Sequence, residues 1–252
     1  MKAHEVISEI LKALAKMVKP GVKTWDIDLK AEKLLKKYGA KSGIKGYNHE
    51  TAKAPWPNVT CINVNNTIAH GYPNDYILQE GDIISIDLSL YLNGECADAA
   101  ISLPVGEVSN ARKRLLYYAK QTLYEAIKYM VVGENTENIA KIIETHAISR
   151  GFLVNRRFAG HRIGKEMHMS PKIYNTPEKV HKYDVLKAGE VYCIEPMLTN
   201  GRDNLGATPD ENQWCYVTID GKDSTFFEHM VEITEKGPKI LTTHFTYKQG
   251  EL

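Results

Sequence analysis

A chain of 252 residues, 43% hydrophobic and 25% charged, has ordinary globular composition and the length to bury a sizeable core, which excludes a largely disordered chain. Lys and Arg number 32 against 31 Asp and Glu, a net charge of +1, so the basic excess of a general nucleic-acid binder is missing. No stretch approaches the ~18 apolar residues of a membrane span, and His4, Glu5, Glu9, Lys12 and Lys16 break up any signal-peptide core.

Val6, Ile7, Ile10, Leu11, Leu14 and Met17 predict an amphipathic helix over 2–18, stopped by Pro20-Gly21. Thr24 is the expected N-cap of a second helix, with Asp26 and Asp28 in its first turn and Gly39 at its end. Residues 40–60 read as loop, with short strands near 61–64 and 67–70. Strands over 83–92 and 95–105 flank Asn93-Gly94, the strongest hairpin signal in the chain. Helices follow over 110–131 and 136–150, and the last hundred residues read as short strands joined by loops. Four scattered cysteines, Cys61, Cys96, Cys193 and Cys215, form no C-x-x-C pair. They read as buried reduced thiols, which places the chain in the cytoplasm.

No linker divides the chain, so residues 1–252 are expected to form one domain. A faint repeat runs through it: the run from Gly81 to Asp87 and that from Gly189 to Glu195 share Gly, an acid, three variable positions, Ile and an acid. A helix, a turn and a Thr-capped helix also recur, with turns at 17–24 and 130–136. Two similar halves packed about a pseudo-two-fold axis would produce this pattern.

The hairpin fixes a geometry. With Asn93 and Gly94 in the turn, Ser89 faces Asp98, and Asp87 lies two residues along on the same face. The two aspartates then sit as diagonal neighbours, roughly 5–8 Å apart at Cβ, among Ile86, Leu88, Ala97 and Ala99. Close carboxylates in apolar surroundings repel and are costly to desolvate, and a cation between them removes the cost. The alternative for the pair alone is one exposed or turn-bonded aspartate. Glu195 and Glu228, each an acid inside an apolar strand-like run, extend the set, as do His161 and His168. Oxygen-rich donors with limited nitrogen suit one or two divalent ions such as Mn, Fe, Co or Zn. Two such ions ~3.5–4 Å apart can hold a hydroxide and polarise a carbonyl, which allows hydrolysis without a Ser or Cys nucleophile. No nucleophile elbow, P-loop or dinucleotide loop supports a rival mechanism.

Five segments carry a family likeness: Ala69-His70-Gly71-Tyr72-Pro73; Asp87 with Asp98; Gly160-His161-Arg162-Ile163-Gly164 through His168; Ile194-Glu195-Pro196-Met197; and Phe227-Glu228-His229. On these the chain resembles the type I methionine aminopeptidases along almost its whole length. The resemblance implies the pita-bread fold, an α+β arrangement of pseudo-two-fold antiparallel sheets flanked by helices. It implies removal of N-terminal methionine from nascent chains with a small second residue, by attack of a metal-held hydroxide on the scissile carbonyl. Asp98 and Glu228 would bridge two divalent ions, Asp87 would complete one shell, and His161 and Glu195 the other. Glu195 would shuttle the proton, His168 would contact the substrate carbonyl, and His70 would hold the substrate near its second residue. A free N-terminal amine would ligate one ion. Trp56, Cys61, Met167 and Trp214 match positions lining the pocket for the methionine side chain.

The chain departs from the family pattern in four places. Arg162 stands inside the Gly-His-x-Ile-Gly motif, where a guanidinium could crowd or charge the rim. Glu166 and Met167 replace small and aromatic residues, and the 47–55 loop is long. Cys96 and Cys193 share strand parity with Asp98 and Glu195, which allows them to approach the metals, although packing is their expected role. The implied partners are peptide N-termini bearing methionine, with no membrane and no specific nucleic acid. Ribosome association is left open, and a monomer is expected. The competing readings are an X-Pro peptidase of the same fold and a non-catalytic binding module that kept it.

Overall fold

The computed structural model describes residues 1–48, 52–177, 184–202, 206–208 and 213–245. Helix α1 (Ala3–Ala15) buries Val6, Ile7, Ile10, Leu11 and Leu14, as the periodicity requires. It is shorter than predicted because the chain turns at 16–17, and Met17 packs on the core from outside the helix. Helix α2 (Thr24–Tyr38) ends at Gly39, whose φ of 67° is left-handed and lets its N–H return to Leu35 and Lys36 carbonyls.

Strands β1 (Lys41–Ser42), β2 (Thr60–Val64) and β3 (Thr67–Ala69) precede the long hairpin of β4 (Ile83–Leu92) and β5 (Glu95–Pro104). Its register is the predicted one: Leu92 faces Glu95, and Ser89 faces Asp98. Asn93 and Gly94 have φ of 52° and 81°, the pair of left-handed residues that a tight two-residue turn needs. Helices α3 (Asn110–Lys128) and α4 (Thr136–Ser149) follow, then β6 (Leu153–Val154), β7 (Ala159–Ile163) and β8 (Met169–Tyr174). The chain continues through β9 (Val191–Ile194), β10 (Met197–Thr199), β11 (Tyr216–Val217), β12 (Ser224–Phe226), β13 (His229–Thr234) and β14 (Gly237–Ile240).

All strand pairs among the described residues are antiparallel. One sheet places β4 between β5 and both β1 and β2; another runs β14-β13-β9-β7-β8. Helix α1 packs on β4 and β5, and α4 on β6 and β8. Ile86, Leu88, Ala97 and Ala99 point into this helix-covered core, so strand alternation turns Asp87 and Asp98 to the opposite face. No described helix is long and apolar enough to cross a membrane. The four cysteines are free thiols, and Cys215 is only half-buried.

The repeat is visible in the hydrogen bonds. Gly21 N–H donates to Leu78 O, and Leu78 N–H to Val22 O; Gly133 N–H donates to Leu186 O, and Leu186 N–H to Glu134 O. Gly81 and Gly189 likewise donate to Val105 and Ile233, at φ of 93° and 83°. The threonine caps are corrected. Lys23 and Asn135 occupy the cap positions, while Thr24 and Thr136 are the first helical residues. The Thr24 hydroxyl bonds the Asn74 backbone instead. Asp28, expected to serve the helix dipole, is buried and accepts from Asn58 Nδ2, Val59 N, Thr60 N and Thr60 Oγ1. It thereby pins the start of β2 to α2.

Candidate metal centre

Asp87 and Asp98 project from β4 and β5, His161 from β7, Glu195 from the β9–β10 junction and Glu228 from the β12–β13 junction. All five line one cavity of ≈ 400 Å³. Asp98, His161 and Glu228 are buried, and the ion pairs of the described residues give the four carboxylates no Lys or Arg partner. His161 Nε2 stands 3.7 Å from Asp98 Oδ2. Its Nδ1 is 3.2 Å from the Arg162 carbonyl oxygen. A carbonyl only accepts, so Nδ1 carries the proton and Nε2 keeps a lone pair aimed at the acids.

Burial pushes the carboxyls of Asp87, Glu195 and Glu228 well above the usual range, and the neighbouring acids push further. Burial raises Asp98 to about 7, against the pull of the Ala99 N–H. Burial lowers His161 to about 4; His168 also falls to about 4, through burial and then the charges of His161 and Lys172. Glu228 Oε1 is buried without a hydrogen-bond partner. Four desolvated carboxylates around a neutral imidazole are an unfavourable arrangement without positive charge. Their oxygen and nitrogen donors are those of a borderline divalent cation, so the residues fit such an ion.

His70 ends β3 at φ 52°, with its ring 5.4 Å from Phe158 and 6.1 Å from Trp214. His168 lies 4.5 Å from His161, centroid to centroid. Trp56, Cys61 and Trp214 form their own buried apolar cluster beside the acids. Trp56 stacks on Tyr72 at 4.5 Å, and Trp214 Nε1 donates to Ala54 O. Cys61 pairs with Asp87 across β2 and β4.

Met167 packs in the main core and is not among the cavity's lining residues. Its methyl group lies where a side chain on Gly43 would stand. Arg162 does not crowd the rim. It follows His161 on a strand and therefore points to the other face, where Nη1 donates to Glu190 Oε1 at 2.8 Å. Of the departing loop, residues 49–51 lie outside the described residues, while Tyr47 lines the cavity.

The cavity walls also include Phe158, Lys172 and Tyr174, which the sequence did not single out. Phe158 precedes β7 by one residue, and Lys172 pairs with His161 across β7 and β8. The 164–168 connection lacks a two-residue turn signal from which that register could be read. For Cys193 the sequence offered both packing and approach to the metals, and the structure sets it beside the acids. One ligand atom each from Asp98, His161, Cys193 and Glu228 lies within 4.8 Å of the others. Cys96 lies outside that group and donates to Lys165 O.

The sequence pattern of metallopeptidase family M24 matches residues 1–235. The chain belongs to metallopeptidase family M24. This M24 chain is 36% identical over 243 residues to the methionine aminopeptidase of Aquifex aeolicus (strain VF5), covering 96% of this chain and 93% of that one. It is 37% identical over 243 residues to methionine aminopeptidase 1 of Bacillus subtilis (strain 168), covering 96% and 94%. The crystal structure of methionine aminopeptidase from Thermotoga maritima superposes with a TM-score of 0.88 at 33% identity, covering 95% and 93%. The α+β pita-bread arrangement is thus the observed fold, and the chain is an enzyme of the metal-dependent aminopeptidase class.

Proposed function

We propose that this M24 enzyme removes the N-terminal methionine from polypeptides with a small second residue, using two divalent ions. The observation that carries the reading is a set of uncompensated buried acids facing the same cavity as an apolar, aromatic and sulfur-lined wall. A thioether is a flexible, polarizable side chain suited to contact with Trp56, Cys61 and Trp214. Asp98 and Glu228 would be shared between the ions. Asp87 would complete one shell; His161 and Glu195 would complete the other. Bound there, divalent cations lower the pKa of water and polarise a peptide carbonyl.

The chain's own groups do the rest. Glu195 takes the proton from the attacking water and returns it to the departing amine. His168 is held neutral, so its ring N–H can donate to the oxygen of the tetrahedral intermediate. His70, fixed between Phe158 and Trp214, faces the backbone around the substrate's second residue. Residues 1–252 act as one catalytic unit. The free thiols support a cytoplasmic location, where the substrate is a newly made chain and the enzyme works as a monomer. A ribosome contact would follow from that substrate.

The test is methionine release from Met-Ala-Ser after stripping the protein and adding back Mn, Co, Fe or Zn separately. Metal-dependent release is expected, and the series ranks the ions. Preference for an Ala-Pro peptide would instead identify an X-Pro peptidase. Failure to take up any metal would leave a binding module that kept the fold.

A further inference from the structure

Cys193 stands opposite His161 in the β7–β9 pairing, and Tyr192 stands opposite Arg162. Alternation along the strand turns Tyr192 away with Arg162, where its hydroxyl donates to Glu190. Cys193 therefore shares the His161 face. Its Sγ lies within 4.8 Å of a donor atom on each of Asp98, His161 and Glu228. Donors at ~2.0–2.3 Å from one shared ion span a comparable distance.

A second observation points to a ligand at the same place. Glu228 is 2% exposed, and its Oε1 has no hydrogen-bond partner. An acid so placed needs a cation, and the sulfur beside it is part of that surround. The thiol is in contact with the Asp98 carbonyl oxygen at 3.8 Å and hydrogen-bonds the Glu228 carboxyl, which leaves Glu228 Oε1 itself unpartnered.

Resting on the two-ion reading, we propose that Cys193 is a sulfur ligand of the ion that His161 holds. Cys193 would join Asp98, His161, Glu195 and Glu228 in its donor set, with the first, second and last of these already within 4.8 Å of it. The thiol proton is released as the metal–sulfur bond forms. A thiolate among the donors favours zinc, cobalt and ferrous ions over manganese, so Cys193 sets which metal the site selects. Cys61, outside the four-residue cluster, belongs to the substrate wall.

Cobalt absorption of the full chain tests this. Bound Co(II) gives weak visible bands at any site, and a strong near-ultraviolet sulfur-to-cobalt band only when a thiolate ligates it. Both are expected in the wild type and in Cys61→Ser; the near-ultraviolet band should be absent in Cys193→Ser and Cys193→Thr. Zinc affinity should fall ~10-fold or more in the Cys193 variants while manganese affinity holds. Visible bands without a charge-transfer band in the wild type would overturn the assignment and leave the aminopeptidase reading standing. So would a band surviving in Cys193→Ser, or an equal loss for zinc and manganese. No cobalt uptake at all would overturn both. The wild-type spectrum alone decides the matter if neither variant folds.

Discussion

Asp98 acts on every other acid of the centre: its charge raises the carboxyls of Asp87, Glu195 and Glu228. Asp98→Ala should abolish metal-dependent methionine release and weaken metal binding. The metal-free variant should melt no lower than the metal-free wild type, because a source of repulsion has gone. A variant that stays active would contradict the shared-ligand role. The same shifts give the metal-free protein a pH signature. Folded carboxyls with raised pKa keep protons that the unfolded chain releases, so their stabilisation is full below about pH 4 and fades as pH rises. For Asp98 the fading runs up to about 7, and it continues higher for the other three. The melting temperature of stripped protein should therefore fall between about pH 5 and pH 8, and excess divalent metal should reverse the trend. The acids that line the cavity were legible because acids inside apolar strands are anomalous. Cys193 was legible only as one of two parity-matched cysteines, since a thiol in an apolar strand is ordinary core. Met167 shows why a methionine is ambiguous from sequence, because pocket and core use the same residue type.

At the scale of elements, β2 carries Cys61 to the cavity wall and is held at its start by Asp28. Asp28→Ala leaves the buried amides of Val59 and Thr60 without their acceptor, a loss of about 1–3 kcal/mol. Urea unfolding should show a lower midpoint with an unchanged slope. With metal saturating, the KM for methionyl peptides should rise more than kcat falls, because the substrate wall loosens while the ligands keep their strands. The β4–β5 hairpin was readable to the residue because Asn93-Gly94 admits one register. The β7–β8 pairing was not, because its connection is longer and the register shifts between His161 and Arg162. Thr24 and Thr136 carried the composition of caps, but tertiary partners set the boundary one residue earlier.

The whole molecule builds its centre from both halves: Asp87 and Asp98 from the first, and His161, Glu195 and Glu228 from the second. Contacts beside the acids join the same halves. Ser102 Oγ donates to Phe226 O, Glu228 N–H to Ala100 O, and His244 Nε2 to Ala100 O. Metal binding should therefore stabilise the entire fold, by about 2.7 kcal/mol at a free concentration of 100 Kd. Thermal unfolding across a metal titration should show one cooperative transition moving upward. Two transitions, of which only one responds to metal, would mean that the halves unfold apart.

The two halves do not contribute alike. Asp87 and Glu195 correspond in the repeat, but Ser85 stands where the second half has Cys193, and its hydroxyl is engaged with Ser102. His161 too comes from the second half. One side of the cluster offers oxygen alone, and the other mixes oxygen with nitrogen and sulfur. On the proposed two-ion reading the positions would be inequivalent, and calorimetry with zinc should resolve a tight event followed by a weaker one. The stoichiometry of the working enzyme would then follow the metal supply of its surroundings, with a singly loaded species prevailing wherever that supply is scarce.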